Sequence, residues 1–307
     1  MFDIAIILIN YNSSEHSINC IRSIIEKTSK DINYQIIITD NCSEKEDYFK
    51  LKLFCEQVGF SNLELYRNLI NTGFGAGNMF GVQFANAKYL AFINNDTLFK
   101  NDCVSILKKA LDNNPNIGIA GAQAFKENGD FMISLDHFAS PVREIIGRSF
   151  MELYNPKKYP SRKKGYINPI QVNFVPGSFM FVRANDFYDI GGFDTNIFLF
   201  YEETDLCLRL AKALKLAYLI PEAEFIHFHG ASTEKSLAIK KELKISLVYI
   251  IRKHYGFFGH KIVLIFLVVK YFFSSILKPK NWSLFFLILS GAPLSKSLKS
   301  KQTIIKL

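Results

Sequence analysis

Four short apolar runs in the first hundred residues place the strongest constraint on the fold of this chain. They lie at residues 4–9, 34–39, 63–66 and 89–93, and polar–apolar segments of helical length separate them. This alternation is typical of a parallel sheet with crossover helices. A polar or glycine-bearing loop follows each run, at the position where open α/β sheets bind ligands. The pattern therefore predicts an α/β domain with one ligand crevice along the carboxyl edge of its sheet.

The length and the cysteine content narrow the class of protein. With 307 residues and 49% hydrophobic residues, the chain can form one large domain, alone or with a helical appendage. The five cysteines are isolated and form no CxxC pair, which favours free thiols in a reducing compartment. Asp3 and an apolar strand begin the sequence, in place of the basic and apolar regions of a secretory signal. We therefore expect the catalytic part to lie in the cytoplasm.

The positive charge is concentrated at the end of the chain. The net charge is +9, but from Lys235 onward there are 14 Lys and Arg residues and one acid, Glu242, so residues 1–234 have a balance of −4. A uniformly basic protein would favour nucleic acid. A basic tail interleaved with Phe, Leu and Ile favours an anionic membrane surface instead. We predict a membrane partner and no nucleic acid; a merely solvated helical face is the alternative.

The same tail contains apolar segments of intermediate length. Residues 243–251 have the pattern of an amphipathic helix, and residues 262–277 and 282–289 are almost wholly apolar. A membrane-spanning helix needs about 20 apolar residues, so these runs favour an in-plane or re-entrant attachment over one tilted span. A buried helix that covers the catalytic sheet is the alternative.

The middle of the chain is less regular. Residues 128–166 form a long excursion of the kind that is commonly a binding lid or a disordered segment. Residues 172–182 predict a strand interrupted at Pro176 and Gly177. Residues 202–214 predict a helix, because leucines recur there at helical spacing.

Polar residues after the fourth apolar run carry the first candidate chemistry. The run Asn94, Asn95, Asp96, Thr97 would lie at the carboxyl edge of the sheet. Asp96 is a candidate metal ligand, because Mg²⁺ and Mn²⁺ bind through one or two carboxylates plus substrate phosphates. The alternative is a turn in which such side chains bond their own backbone.

Two further segments would reach the same edge. Asp40 and Asn41 end the second run, and the sequence NTGFGAGN at 71–78 opens a helix after the third. Its glycines allow close backbone approach to a ligand, and a helix N-terminus favours anionic groups. The spacing matches neither a dinucleotide fingerprint nor a P-loop, so neither NAD nor ATP is indicated. A plain glycine loop is the alternative.

Acids and histidines recur near the end of the α/β region. Glu202, Glu203 and Asp205 stand at a helix start, beside an aromatic run. The helix dipole alone would favour acids there, but three acids beside aromatic residues indicate a carboxylate held as a general base. His227 and His229 end an apolar strand on one of its faces, and a neutral imidazole there can complete the coordination of a metal.

Taken together and in this order, these segments resemble the family 2 glycosyltransferases, in particular the branch that contains bacterial rhamnosyltransferases of cell-surface polysaccharide synthesis. The resemblance covers residues 1–235. The segments that carry it are ILINYN (7–12), TDNCS (39–43), NTGFGAGN (71–78), NNDT (94–97), GGFD (191–194), YEETDLCLR (201–209) and HFHGAS (227–232).

The resemblance implies a GT-A fold, a nucleotide-diphosphate sugar donor and a divalent metal, Mn²⁺ or Mg²⁺. Asp40 matches the aspartate that reads the pyrimidine base, which suits uracil or thymine. Asp96 matches the metal-binding aspartate of a D-x-D-like motif. Asn94 stands where some members have Asp, so the site carries less negative charge. His227 matches the histidine of the family's terminal motif, and His229 is the runner-up.

The remaining site residues follow from the same resemblance. Glu203 matches the second acid of the family's Glu-Asp pair, the usual base; because it is Glu here and not Asp, Glu202 and Asp205 stay open as bases. The predicted donor-binding residues are Asn10, Asn12, Asp40, Asn71, Gly73, Gly75, Asn94 and Asn95.

The sequence thus predicts an inverting glycosyltransferase with a GT-A domain at residues 1–235 and a helical membrane-associating region at 236–307. The family-level expectation is rhamnose from dTDP-rhamnose, with a UDP-sugar also open, transferred to a glycan or polyprenyl-diphosphate-linked acceptor at the inner membrane face. The alternative is a catalytically inactive nucleotide-sugar-binding or scaffold protein. A nucleotidyltransferase is disfavoured, because the first strand-to-helix turn lacks a glycine-rich segment.

Overall fold

The computed structural model of the protein describes residues 1–228 and 236–305. Within these residues, nine strands form one mixed sheet. The strands are β1 (Phe2–Asn10), β2 (Tyr34–Asp40), β3 (Leu63–Arg67), β4 (Ala87–Asn94), β5 (Thr97–Phe99), β6 (Ile117–Phe125), β7 (Ile170–Val172), β8 (Phe179–Arg183) and β9 (Leu216–His227). The helices are α1 (Ser14–Lys27), α2 (Lys45–Gln57), α3 (Gly73–Val82), α4 (Cys103–Asn113), α5 (Pro141–Ile146), α6 (Arg148–Tyr154), α7 (Ala184–Asp189), α8 (Glu202–Lys212), α9 (Leu237–Leu277) and α10 (Trp282–Leu289).

The sheet has a parallel half and an antiparallel half. Its order is β3-β2-β1-β4-β8-β6-β9-β5, with β7 pairing β9. β3, β2, β1 and β4 are parallel, as the four apolar runs predict, and each run lies within its strand. β8 then joins antiparallel to both β4 and β6. The α/β fold with a mixed sheet and helices on both faces is confirmed.

Alternation along the central strands separates two apolar cores. Ile4, Ile6 and Leu8 of β1 pack into one buried cluster with residues of α1 and α4, whereas Ala5 and Ile7 pack into a second with residues of α3, α7 and α8. Successive side chains of a strand point to opposite faces, so a sheet with two apolar faces must be covered by helices on both. The carboxyl edge is the part of the sheet that stays accessible.

The segment 128–166 is more regular than the sequence predicts. It contains α5 and α6, and ion pairs hold it in place. Arg148 contacts Asp136 at 2.8 Å, and Arg162 lies within 3.4 Å of both Asp136 and Glu152. The sequence could not reveal this order, because the paired charges lie 10 to 26 residues apart along the chain.

The interrupted strand and the later helix have the predicted positions. β7 and β8 flank the break at Pro176 and Gly177, and α8 ends at Lys212. Leu214 adopts φ 61°, which turns the chain back into β9.

The apolar segments after residue 236 form a bent helix, α9, and a shorter helix, α10. Gly256 in α9 has φ 67° and ψ −161°, which is not helical, so α9 consists of a first arm before Gly256 and a second arm after it. The first arm packs through Ile245, Leu247 and Ile250 against Ala139 and Ile197. The predicted alternative of a buried helix therefore applies to this arm.

The second arm and α10 expose apolar side chains. Together they form what we call the apolar face, whose exposed residues are Phe257, Phe258, Ile262, Ile265, Val269, Phe272, Phe273, Ile276, Leu277, Phe286 and Leu289. By length and composition, α9 is the one stretch in the described part of the chain that could cross a membrane. Its most apolar window has a mean hydropathy of 1.8 and is 17% buried. These helices make the C-terminal region a candidate membrane-associating extension.

Gly73, at the start of α3, and Gly129 share a positive φ but differ in their surroundings, so alanine at each position measures the effect of packing. Gly73 and Gly129 have φ of 82° and 85°, but a Cβ on Gly73 would lie 2.1 Å from the carbonyl oxygen of Phe198, whereas one on Gly129 would meet open space. We expect Gly129→Ala to lower the free energy of unfolding by about 1 kcal/mol and Gly73→Ala by about 2–4 kcal/mol. Urea denaturation would measure both; equal losses would contradict the packing argument.

Candidate active site

The carboxyl ends of β1 and β2 are joined by a buried polar contact. Asn10 lies opposite Asp40 in the strand register, and its Nδ2 donates hydrogen bonds to Oδ2 of Asp40 and Oγ of Ser43, both at 3.0 Å. Oγ of Ser17 donates to Oδ1 of Asn10 at 2.8 Å. Both polar ends of the Asn10 side chain are thus occupied. In the predicted donor site, Asn10 would therefore act by positioning Asp40.

Asp40 is fully buried and carries an arginine partner that the sequence did not reveal. Nε of Arg67, at the end of β3, lies 3.3 Å from Oδ1 of Asp40, and its guanidinium stacks over Tyr48 at 4.0 Å. Burial raises the pKa of Asp40, and hydrogen bonds from Ser43 and Asn10 together with the charge of Arg67 act in the opposite direction. The only sequence signal for Arg67 is its place at the end of the third predicted strand.

Asn41 organises the glycine-rich turn that precedes α3. Its Nδ2 donates to Oδ1 of Asn71 and to the carbonyl oxygen of Gly73, both at 3.0 Å. Its Oδ1 accepts from the Oγ1 of Thr72 at 2.9 Å and from Nδ2 of Asn68 at 3.1 Å. Asn41 was not among the predicted site residues, although it adjoins Asp40. It ties β2 to the predicted donor residues Asn71 and Gly73.

The glycines of α3 allow close packing against the segment before α8. The backbone N–H of Phe74 donates to the carbonyl oxygen of Phe198 at 2.9 Å. A Cβ on Gly75 would lie 3.4 Å from Cβ of Phe193 and 3.5 Å from Cγ of Glu202. The start of α3 therefore adjoins the start of α8, and packing alone accounts for Gly73, whereas Gly75 leaves room for a Cβ at ordinary contact distance.

Asn12 lines an open cavity at the start of α1. Asn12 has φ 51°, its Oδ1 accepts from the backbone N–H of Glu44 at 2.7 Å, and its own N–H donates to Ser43 Oγ at 2.9 Å. The cavity has a volume of about 420 Å³ and is lined by Asn12, Ser13, Ser14, Glu15, His16, Glu46, Asp47 and Lys50. Asp47 also accepts from Asn10 at 2.8 Å, so this cavity adjoins the Asn10–Asp40 contact.

Asn94 and Asn95 end β4 in different environments. Asn95 is buried, and its Nδ2 donates to the hydroxyl oxygens of Ser13 and Ser17 at 2.7 and 2.8 Å, which fixes the start of α1. Asn94 is half-buried, and its backbone N–H donates to the carbonyl oxygen of Ser178 at 3.1 Å. A Cβ on Gly177 would lie 3.3 Å from the ring of Phe74, so the loop that carries Ser178 passes close to the start of α3.

Asp96 and His227 come together because β5 pairs with the end of β9. Thr97 lies opposite His227 in that antiparallel pair, and Nε2 of His227 is 3.2 Å from Oδ1 of Asp96. Asp96 is 2% exposed, and its Oδ1 otherwise receives no hydrogen bond from the described residues. Burial acts to raise the pKa of Asp96, but the hydrogen bond and the charge of His227 lower it below its ordinary value.

Asp96 and His227 together offer a carboxylate oxygen, the type of ligand that Mn²⁺ and Mg²⁺ prefer, and an imidazole nitrogen, which is more usual for transition metals. The under-bonded carboxylate oxygen of Asp96 fits a ligand role. Across residues 1–228 and 236–305, no three His, Cys, Asp or Glu side chains gather as a metal site. The runner-up ligand His229 lies outside the described residues.

Asp205 is held by Arg209, Lys253 and His254. Nε and Nη2 of Arg209 donate to its Oδ2 at 2.9 and 2.7 Å, and Lys253 Nζ and His254 Nε2 each lie 2.7 Å from its Oδ1. Burial would raise the pKa of Asp205, but the His254 hydrogen bond and the charges of Arg209 and Lys253 lower it to about 2. A carboxylate this acidic is a poor proton acceptor, so the geometry argues against Asp205 as the base.

Glu202 and Glu203 have raised pKa values and differ in exposure. Glu202 is 2% exposed, its Oε1 accepts no hydrogen bond from the described residues, and burial followed by the neighbouring Glu203 raises its pKa well above the ordinary range. Burial raises the pKa of Glu203 to about 7, although its side chain is only half-buried. The pKa of Glu203 lies near neutral pH, which suits acid–base chemistry.

The segment 128–166 lies against this acid cluster. The backbone N–H of Ala139 donates to Oγ1 of Thr204 at 3.3 Å, and Nη2 of Arg143 lies 3.5 Å from the hydroxyl of Tyr201. Arg143 is 3% exposed and also donates to the carbonyl oxygen of His137 at 2.8 Å. Arg143 and Asp136 influence the pKa of Glu203 in opposite directions. These neighbours were not predicted, because they come from the irregular part of the sequence.

A comparison with known protein families identifies the domain. The family model described as "Glycosyl transferase family 2" matches residues 5–191. The rhamnosyltransferase WbbL of Escherichia coli is 27% identical over 258 residues, which cover 81% of this chain and 92% of that protein. An N-acetylglucosaminyl-diphospho-decaprenol L-rhamnosyltransferase of Mycobacterium tuberculosis is 33% identical over 87 residues, 28% of each chain.

Solved structures show the same fold. GalNAc-T7, solved with UDP, GalNAc and Mn²⁺, has a TM-score of 0.60 at 13% identity, over 83% of this chain and 49% of that one. The mannosyltransferase PcManGT of Pyrobaculum calidifontis, solved with GDP-Man and Mn²⁺, has a TM-score of 0.56 at 12% identity, over 96% of this chain and 89% of that one. These similarities, with the mixed sheet, confirm the GT-A fold. The chain therefore belongs to glycosyltransferase family 2 and is a rhamnosyltransferase-like glycosyltransferase.

Proposed function

We propose that this enzyme transfers rhamnose from a nucleotide-diphosphate donor to a hydroxyl of a lipid-linked glycan acceptor, with inversion at the anomeric carbon. The observation that carries the proposal is the position of Glu203, with a pKa of about 7, at the start of a helix that adjoins the glycine-rich turn. The rhamnosyltransferase names of the two relatives support the choice of sugar. Family membership does not favour the alternative of an inactive binding protein.

The donor would lie along the carboxyl edge of the parallel strands. Buried Asp40, held by Asn10 and Arg67, supplies a carboxylate that can accept a hydrogen bond from the ring N–H of thymine or uracil. Both dTDP-rhamnose and a UDP-sugar satisfy this requirement, and dTDP-rhamnose is the family-level expectation. The N-terminus of α3, reached through Asn71, Gly73 and Gly75, faces the same edge and favours anionic groups.

Asp96 and His227 would hold the divalent metal, Mn²⁺ or Mg²⁺. Two protein ligands leave room for diphosphate oxygens and water, as is usual for Mg²⁺ sites. When bound, the ion would neutralise the charge that develops on the departing diphosphate. Asn94 in place of a second carboxylate keeps the protein's own negative charge there low.

Glu203 would act as the general base. Its ionised carboxylate accepts the proton from the acceptor hydroxyl as that oxygen attacks the anomeric carbon from the face opposite the diphosphate. Such a single displacement inverts the anomeric carbon. Burial and the charge of Glu203 raise the pKa of the neighbouring Glu202, which disfavours a second negative charge beside the base.

The C-terminal region supports the proposed acceptor and the proposed location of the enzyme. The apolar face is large for a surface exposed to water, and the tail from Lys235 is strongly basic. Both properties suit an enzyme that lies on the anionic inner face of the cell membrane. A membrane-bound enzyme has ready access to a polyprenyl-diphosphate-linked glycan, the type of acceptor in the name of the mycobacterial relative.

A donor screen tests the reaction class. We expect the full-length protein to release dTDP from dTDP-rhamnose in the presence of Mn²⁺ or Mg²⁺, and more slowly with UDP- or GDP-sugars. EDTA should abolish the release and added Mn²⁺ should restore it. Asp96→Asn should lower the rate at least about 10²-fold, because it removes the one metal-binding carboxylate. Nucleotide binding without turnover under all these conditions would support the inactive alternative.

Substitutions at Glu203 and Asp205 should separate the base from a structural carboxylate. We expect Glu203→Gln to lower kcat by about 10²- to 10⁴-fold without loss of stability at pH 7, because the folded protein no longer has to bury an ionising group. Asp205→Asn should instead lower the free energy of unfolding by about 1–3 kcal/mol, because it removes the buried carboxylate that accepts charged hydrogen bonds from Arg209, Lys253 and His254. Transfer assays and urea denaturation would measure the two effects.

The wild-type pH profile provides a further check on the same assignment. The base must be ionised, so kcat/KM should rise with pH through about 7, the pKa of Glu203, and this rise should be absent in Glu203→Gln. The stability that Asp205 contributes should be complete above its unfolded pKa of 3.8 and be lost as the pH falls towards 2. Wild-type turnover in Glu203→Gln would show that the base lies elsewhere.

A further inference from the structure

The two arms of α9 fold back on each other, which brings distant lysines together. A straight helix of 41 residues would be about 60 Å long, yet Lys240 near its start and Lys278 just after its end line one cavity. Nζ of Lys244 also lies 5.7 Å from the ring centre of Tyr271. The break at Gly256 therefore turns α9 into a hairpin, and the cavity lies at its open end.

The cavity is basic and has the size of a ligand site. Its volume is about 580 Å³, within the range of about 300–1,000 Å³ usual for small-molecule sites. Its lining residues are Lys240, Lys278, Pro279, Lys280 and Asn281. The three lysines are exposed, and none of their ammonium groups pairs with an acid within residues 1–228 and 236–305. Three like charges around one cavity favour a multiply charged anion.

The cavity adjoins the apolar face, and the helix arm that carries Lys240 also contacts the acid cluster. Phe273, Ile276 and Leu277 of the apolar face precede Lys278 in the chain and are 61%, 57% and 82% exposed. Further along the first arm, Lys253 and His254 contact Asp205 of α8 at 2.7 Å. A ligand in this cavity would thus have a lipid surface on one side, and the first arm of α9 connects the cavity with the candidate base helix.

We propose that Lys240, Lys278 and Lys280 bind the diphosphate of a polyprenyl-diphosphate-linked acceptor, with the polyprenyl chain along the apolar face. The inference rests on the proposed function and specifies how its acceptor is held. A diphosphate matches three cations better than the single charge of a typical anionic headgroup does, and lysine is a common phosphate ligand. The order lipid, diphosphate, sugar along the acceptor follows the order apolar face, lysine cavity, acid cluster in the protein.

A binding experiment tests the lysines without catalysis. Trp282 is the single tryptophan and directly follows Asn281 of the cavity, so its fluorescence can report occupancy in the full-length protein in neutral detergent micelles. We expect saturable binding of farnesyl diphosphate and much weaker binding of farnesol. A triple variant, Lys240→Ala, Lys278→Ala and Lys280→Ala, should weaken farnesyl diphosphate binding at least about tenfold, since hydrogen bonds between charged groups contribute strongly to affinity.

The matched control removes the same charge outside the cavity. Lys261→Ala, Lys270→Ala and Lys301→Ala replace three exposed lysines of the same region that do not line the cavity, and this variant should bind farnesyl diphosphate as the wild type does. Equal losses in both triple variants would indicate general electrostatic attraction and overturn the site. Equal binding of farnesol, or equal competition by phosphatidylglycerol, would overturn the assignment to a diphosphate.

Kinetics then connect the site to the acceptor. With the same acceptor sugar on a polyprenyl diphosphate and on a neutral alkyl chain, the cavity variant should raise KM only for the diphosphate acceptor and leave kcat unchanged. An unchanged KM would contradict the proposal. If neither acceptor supports transfer by the wild type, the proposed function fails, whereas the fluorescence experiment still decides whether the lysines bind a diphosphate.

Discussion

The buried polar junction at the carboxyl ends of β1 and β2 is the contact on which the rest of this site depends. Asn10 and Asp40 face each other in register, and neither is accessible to water. Buried polar groups of this kind are costly unless their hydrogen bonds are satisfied. Here they are satisfied by Ser17 of α1, Ser43 of the loop after β2 and Asp47 of α2, so these elements are fixed relative to β1 and β2. Asn41 extends the same junction to the turn before α3, and the donor edge is thereby organised in advance of any ligand.

A second buried network joins the catalytic part to the C-terminal helices. Asp205 of α8 contacts Lys253 and His254 of α9, and Lys253 and Tyr249 also contact Asp194. Because α8 carries the candidate base, the first arm of α9 supports the catalytic helix as well as connecting it to the apolar face. We therefore propose that the regions before and after residue 235 differ in the character of their sequences but pack together through this network.

Much of the fold and part of the site could be predicted from local pattern. The four apolar runs placed β1 to β4, and the position of each polar loop after its strand placed Asp40, Asp96 and the glycine-rich turn at one edge. Other features depend on residues that are far apart in the sequence. Arg67 meets Asp40 only through strand pairing, and the lysines of the basic cavity meet only because Gly256 reverses α9. No local pattern marks such partners.

The three neighbouring acids Glu202, Glu203 and Asp205 show most clearly what the sequence could predict and what required the structure. The sequence by itself determined the family, the positions of the four parallel strands and the acids that could serve as base, because these depend on periodicity and on motifs that are local. Only the tertiary structure decided how those acids differ. Asp205 contacts Arg209, Lys253 and His254 and has a lowered pKa, Glu202 is buried with an Oε1 that accepts no hydrogen bond from the described residues, and Glu203 is half-buried with a pKa of about 7. The physical reason is that a carboxyl group's proton affinity is set by burial and by charges brought near it through folding.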